Sequence, residues 1–117
     1  MSLMELTSHN FDKVMAHHDL VVVDFGAQWC APCRSFTKVI EKLNKKYPSI
    51  IFGNVDIDKE KELAEDFHIM SVPSIMILRD RVVVFAETGA LTETALSELI
   101  EQARSLDTEQ LKKAEEN

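Results

Sequence analysis

Residues that break or cross-link a fold are scarce in this 117-residue chain: three glycines, three prolines and two cysteines. So little Gly and Pro argues against low-complexity or collagen-like organisation. Two cysteines cannot build a disulfide framework of the kind that holds small secreted domains together. Cys30 and Cys33 stand only three positions apart, so a bond between them closes a loop too small to restrain the unfolded chain. Such a pair reads as redox-active or metal-binding. Apolar runs of the ~20 residues needed to cross a bilayer are missing too. Basic residues are outnumbered, 13 against 20 acidic, for a net charge of −7, and they form no cluster. That balance argues against phosphate backbones and anionic membrane surfaces as partners. The first residues, Met1 to Glu5, show neither a basic segment nor a leader-length apolar stretch, so a cytoplasmic location is expected.

Hydrophobic residues make up 45% of the chain and charged residues 28%, enough apolar material for one core without staples. A single domain over 1–117 is expected, its core about 4–104 and its charged tail 105–117. Thr7 and Ser8 can cap a first helix with Phe11, Val14 and Met15 on one face. Residues 20–25 form a nearly unbroken β-branched run, the pattern of a strand buried on both faces. Phe36, Val39, Ile40 and Leu43 recur at helical spacing from Ala31 to about Lys46, before Pro48. A second buried strand is expected over 50–57, where Gly53 permits close packing, and a short helix over 59–67. Strands at 74–78 and 82–87 flank Arg79, Asp80 and Arg81 as a hairpin. Thr92 opens a last helix that faces inward with Leu96, Leu99, Ile100 and Ala103. The order of elements implies an α/β fold, a central mixed sheet with helices on both faces.

The chemistry gathers between the first long strand and the second helix. Cys30 directly precedes that helix, where unpaired N–H groups and the helix dipole favour negative charge. A thiolate is therefore stabilised there and becomes the better nucleophile. Cys33 lies one turn on, in reach of Cys30 and shielded from solvent, and is expected to resolve what Cys30 attacks. Asp24 is the one residue out of place in an apolar strand. Burial raises the cost of ionising it, so it can exchange a proton with Cys33 near neutral pH. Zinc binding is disfavoured, because only two thiolates exist and His9, His17, His18 and His68 read as solvated surface residues.

Trp29-Cys30-Ala31-Pro32-Cys33, preceded by Val23-Asp24-Phe25 and followed by Ser71-Val72-Pro73-Ser74, resembles the thioredoxin family over about 4–104. The element order is similar to that of the thioredoxin fold. The resemblance implies a protein-disulfide reductase acting through Cys30 and Cys33. It implies a substrate surface of Trp29, Pro32, Val72, Pro73, Gly89 and Ala90, to which Met70 adds, with a cis bond before Pro73. It further implies no bound cofactor and reducing equivalents from NADPH through thioredoxin reductase. The expected partners are that flavoprotein and disulfide-containing proteins, and the chain is expected to be a monomer. Asn54 departs from the family where many members carry a buried lysine near the aspartate. Ala31, Lys38, Gly26 and Arg81 depart more mildly from glycine, proline, an aromatic and glycine. Two other readings stay open: a disulfide oxidase or isomerase of the same fold, and a redox-switched adaptor that binds through its apolar patch.

Overall fold

The computed structural model describes residues 3–106 and 109, and its centre is the β-branched run. That run is strand β2 (Leu20–Gly26), flanked by β3 (Ile51–Asp56) and β4 (Ser74–Arg79). A short β1 (Met4–Glu5) pairs with β3, and β5 (Val82–Thr88) closes the opposite edge. The order across the sheet is β1-β3-β2-β4-β5. β2 and β3 run parallel, as do β1 and β3, whereas β4 is antiparallel to both β2 and β5. The mixed sheet expected from the order of elements is the one found.

Alternation along β2 divides the core in two. Leu20 and Val22 face α2 (Ala31–Lys46) and α4 (Glu93–Arg104), packing with Phe36, Ile40, Leu96 and Ile100. Val21, Val23 and Phe25 face α1 (Phe11–His17) and α3 (Lys61–Asp66), packing with Phe11, Met15 and Leu63. Period-2 side-chain alternation puts Asp24 on the Val22 side, beneath α2. Helices therefore cover both faces of the sheet. Thr92 caps α4 as expected, its Oγ1 accepting the Ala95 N–H at 3.1 Å.

Two local expectations change. The N-terminal segment contributes strand β1 ahead of the first helix, with Met4 opposite Gly53 and Glu5 opposite Asn54. Two exposed residues carry no alternation to reveal a strand. Neither Thr7 nor Ser8 is the cap of α1; Asn10 holds that position without a side-chain cap bond. Thr7 Oγ1 instead accepts the N–H groups of His9 and Asn10, which shapes the turn leading into the helix. Asp80 and Arg81 both adopt positive φ (51° and 71°), the backbone of a two-residue hairpin turn. Of the charged tail, only Ser105, Leu106 and Glu109 fall within the described residues.

Gly53 is where β1, β3 and the segment after β1 meet. A Cβ there would lie 2.5 Å from Leu6 Cδ1 and 3.2 Å from the Met4 carbonyl oxygen, and Leu6 is fully buried. Gly53→Ala must push Leu6 or the edge strand aside. A loss of about 1–3 kcal/mol in chemical denaturation is expected; unchanged stability would show that the edge is loosely held.

Candidate functional site

The chain leaves β2 at Gly26, crosses Ala27, Gln28 and Trp29, and enters α2 with Cys30 as the N-cap residue. Cys30 has extended backbone, and its Sγ accepts the N–H of Cys33 at 3.2 Å. A sulfur thus fills the place usually taken by a serine or aspartate oxygen. Pro32 stands in the first helical turn, where its missing N–H costs no internal bond. Arg34 braces this corner from the helix side, donating from a guanidinium nitrogen to the Gln28 carbonyl at 2.7 Å. Cys30 and Cys33 are joined as a disulfide, with Cα atoms 5.3 Å apart.

The two cysteines do not differ in overall exposure, each being 4% accessible in this oxidised state. They differ in surroundings. Both belong to a small buried cluster with Ala27, against which Ile57 and Val72 pack. Cys33 also lines a cleft shared with Asp24, Thr37 and Asn54, and Cys30 does not.

Asp24 is only 3% exposed, and burial pushes its carboxyl up to about 7, the Thr37 hydroxyl opposing that rise. Thr37 Oγ1 lies 3.4 Å from Asp24 Oδ2. The other oxygen, Oδ1, is buried and meets no hydrogen-bond partner among the described residues. In register opposite Asp24 on β3 is Asn54, so an amide stands where many family members are expected to carry a cation.

The Val72–Pro73 bond is cis, and Pro73 is buried while Val72 is partly exposed. The Pro73 carbonyl accepts the Gly89 N–H at 2.8 Å, which joins the loop after β5 to the segment before β4. Gly89 has φ of +106°, a conformation that disfavours any side chain, and open space faces its missing Cβ. Ala90 follows, exposed, as is Pro32. Trp29 is 69% exposed and Met70 92%, both unusual for large apolar side chains. Trp29 is tethered through its Nε1–H to Asp58 Oδ2 at 2.9 Å. The structure therefore gathers Val72 against the dithiol and links Pro73 to Gly89, whereas the Trp29 ring is anchored to the loop after β3. Asp58, Thr37 and Arg34 are site neighbours that motif reading missed. His9, His17, His18 and His68 are all exposed, and no group of three metal-binding side chains occurs among the described residues.

Comparison with known proteins agrees with this geometry. The family model described as Thioredoxin matches residues 2–102. Putative thioredoxin 2 of Streptomyces coelicolor is 46% identical over 113 residues, covering 97% of this chain and 84% of that protein. The thioredoxin of Chlamydia pneumoniae is 35% identical over 95 residues, covering 81% and 92%. Among solved structures, a point-mutant thioredoxin from Halobacterium salinarum superposes with a TM-score of 0.84 at 28% identity, covering 91% of this chain and 94% of that one. Plasmodium falciparum thioredoxin gives 0.78 at 33% identity, covering 86% and 98%. With sequence, topology and a helix-capping dithiol in agreement, the chain belongs to the thioredoxin family and is a thiol-disulfide oxidoreductase that reduces protein disulfides.

Proposed function

We propose that Cys30 is the attacking sulfur, Cys33 the resolving one, and Asp24 the base that takes the proton of Cys33. The Cys30 thiolate attacks one sulfur of a substrate disulfide; a mixed disulfide forms on Cys30 and the first substrate thiolate leaves. Cys33, deprotonated by Asp24, then attacks Cys30 Sγ and expels the second substrate thiolate. Two electrons pass from the dithiol to the substrate, and the protein is left as the internal disulfide. Reducing equivalents return from NADPH through thioredoxin reductase, and the chain works as a cytoplasmic monomer. The observation that carries the reading is the Cys33 N–H directed at Cys30 Sγ, because the same donor favours a thiolate once the disulfide opens.

Substrate docking is assigned to the exposed Trp29, Pro32, Met70 and Ala90 together with Val72, Pro73 and Gly89. An extended segment beside the disulfide can pair with the Val72 backbone. Val72 packing against the small cluster that holds both cysteines supports that placement. No helix of the described residues is long and apolar enough to cross a membrane.

Three outcomes follow for the cysteines and Asp24. In an insulin-reduction assay driven by NADPH and thioredoxin reductase, Cys30→Ser abolishes turnover. Cys33→Ser halts at a covalent complex with substrate, visible on a non-reducing gel. Asp24→Asn retains the pair but slows turnover by about 10-fold or more at neutral pH. Full activity in Cys30→Ser would remove the nucleophile assignment.

The same carboxyl costs stability. Unfolded Asp24 ionises near its ordinary value of 3.8, but in the folded protein near 7, so the folded state holds the extra proton between these limits. Stability is therefore highest below the unfolded value and falls as pH rises through the folded one. Denaturation of the oxidised protein should show this decline between about pH 4 and about pH 7, a range in which Asp24→Asn is flatter. At about pH 8 the variant should be more stable by on the order of 1–3 kcal/mol. A variant less stable than the parent there would contradict the buried-charge account.

A further inference from the structure

Thr37 sits one turn beyond Cys33 on α2, and its hydroxyl touches two parts of the dithiol site. Oγ1 lies 2.9 Å from the Cys33 carbonyl oxygen and 3.4 Å from Asp24 Oδ2. A helical threonine commonly bonds to the carbonyl four residues back. The contact with a buried carboxyl on another element is the additional feature. A hydroxyl has one proton to give and two lone pairs to receive with, so it cannot donate fully to both oxygens at once.

We propose that Thr37 is a positioning residue for the resolving step, its hydroxyl holding the Asp24 carboxyl over the cleft shared with Cys33 and turning its proton between Oδ2 and the Cys33 carbonyl as the carboxyl ionises. While Asp24 is protonated, the acid O–H donates to Thr37 Oγ1, and the Thr37 proton rests on the Cys33 carbonyl. When Asp24 is ionised, the same hydroxyl rotates and donates to Oδ2. No heavy-atom bond changes in this rotation. The proton that leaves Cys33 ends on Asp24, and the Thr37 proton stays on Thr37. The inference rests on the reading of Asp24 as the base.

The surroundings of Asp24 give this hydroxyl its weight. Asn54 stands opposite on β3 and Ile75 opposite on β4, and neither carries charge. The ionisable groups facing the cleft are Glu5 on β1, Cys33 and Arg34 on α2, Asp56 at the end of β3 and Lys59 beyond it. Arg34 is bound to the Gln28 carbonyl, and Asp56 Oδ1 accepts the backbone N–H groups of Asp58 and Lys59. Thr37 is the one described side chain that donates to Asp24. Burial penalises a carboxylate far more than a neutral acid, so losing that donor harms the ionised form more.

The test follows the resolving step alone, as release of substrate from a preformed mixed disulfide on Cys30 across a range of pH. Thr37→Val keeps the shape and removes the hydroxyl; Thr37→Ser restores it. In the parent, the rate rises with pH as Asp24 ionises. Thr37→Val should move that inflection upward by roughly half a pH unit or more, and Thr37→Ser should return it. The Asp24 carboxyl resonance in the oxidised variants, followed by NMR, should move the same way without any turnover. Asp24→Asn should abolish the inflection. If it does, while Thr37→Val titrates like the parent or Thr37→Ser like Thr37→Val, the role of Thr37 is overturned and Asp24 stands. If Asp24→Asn keeps the inflection, the base assignment itself falls, and the Thr37 role with it.

Discussion

A sulfur atom caps the longest helix among the described residues, and the rest of the site is arranged around that contact. Helix starts leave N–H groups unpaired, and here one of them, from Cys33, points at Cys30 Sγ. In the oxidised state the donor meets a weak acceptor. In the mechanism we propose it meets an anion after reduction, and the interaction strengthens because charge-assisted hydrogen bonds are the stronger kind. The fold makes this geometry rigid. β2 is the central strand and is paired on both sides, so the corner from which Cys30 projects is carried by the middle of the sheet. Arg34 ties the first turn of α2 back to Gln28, while Pro32 adds a backbone angle already suited to the helix.

Asp24 is the counterweight. Its strand needs an apolar residue on the α2 side, and a carboxyl there leaves Oδ1 unpaired among the described residues. The same burial brings its titration to the neutral range, where a base can both take and return a proton. With Asn54 opposite, desolvation rather than a paired cation governs the carboxyl. The local loss of stability and the proton-transfer role we propose for Asp24 thus share one cause, a common relation at functional sites.

Much of this was legible from residue order alone. The β-branched run of β2 and the helical spacing of Phe36, Ile40 and Leu43 specify elements through burial, the strongest local signal. Cys30, Cys33 and Asp24 stood out because each is chemically conspicuous in its segment. Strand β1 was hidden, since its two exposed residues gain their structure from pairing with Gly53 and Asn54. Asp58 was hidden for a related reason: its bond to Trp29 spans 29 positions and depends on how a loop settles. Thr37 could have been found, because it falls four positions after Cys33 on a helix that packs over the Asp24 side of β2. The expected contrast in shielding between the two cysteines is not visible in the oxidised form, where both are equally buried. Their difference lies in what each sulfur faces.

Unpaired N–H groups at the start of α2 should make negative charge on Cys30 inexpensive. Titrating the reduced protein by thiolate absorbance, with Cys33→Ser used to isolate the remaining thiol, measures this directly. Cys30 should ionise clearly below the range of free cysteine, about 8.5. Ionisation of Cys30 at the free-cysteine value would contradict it.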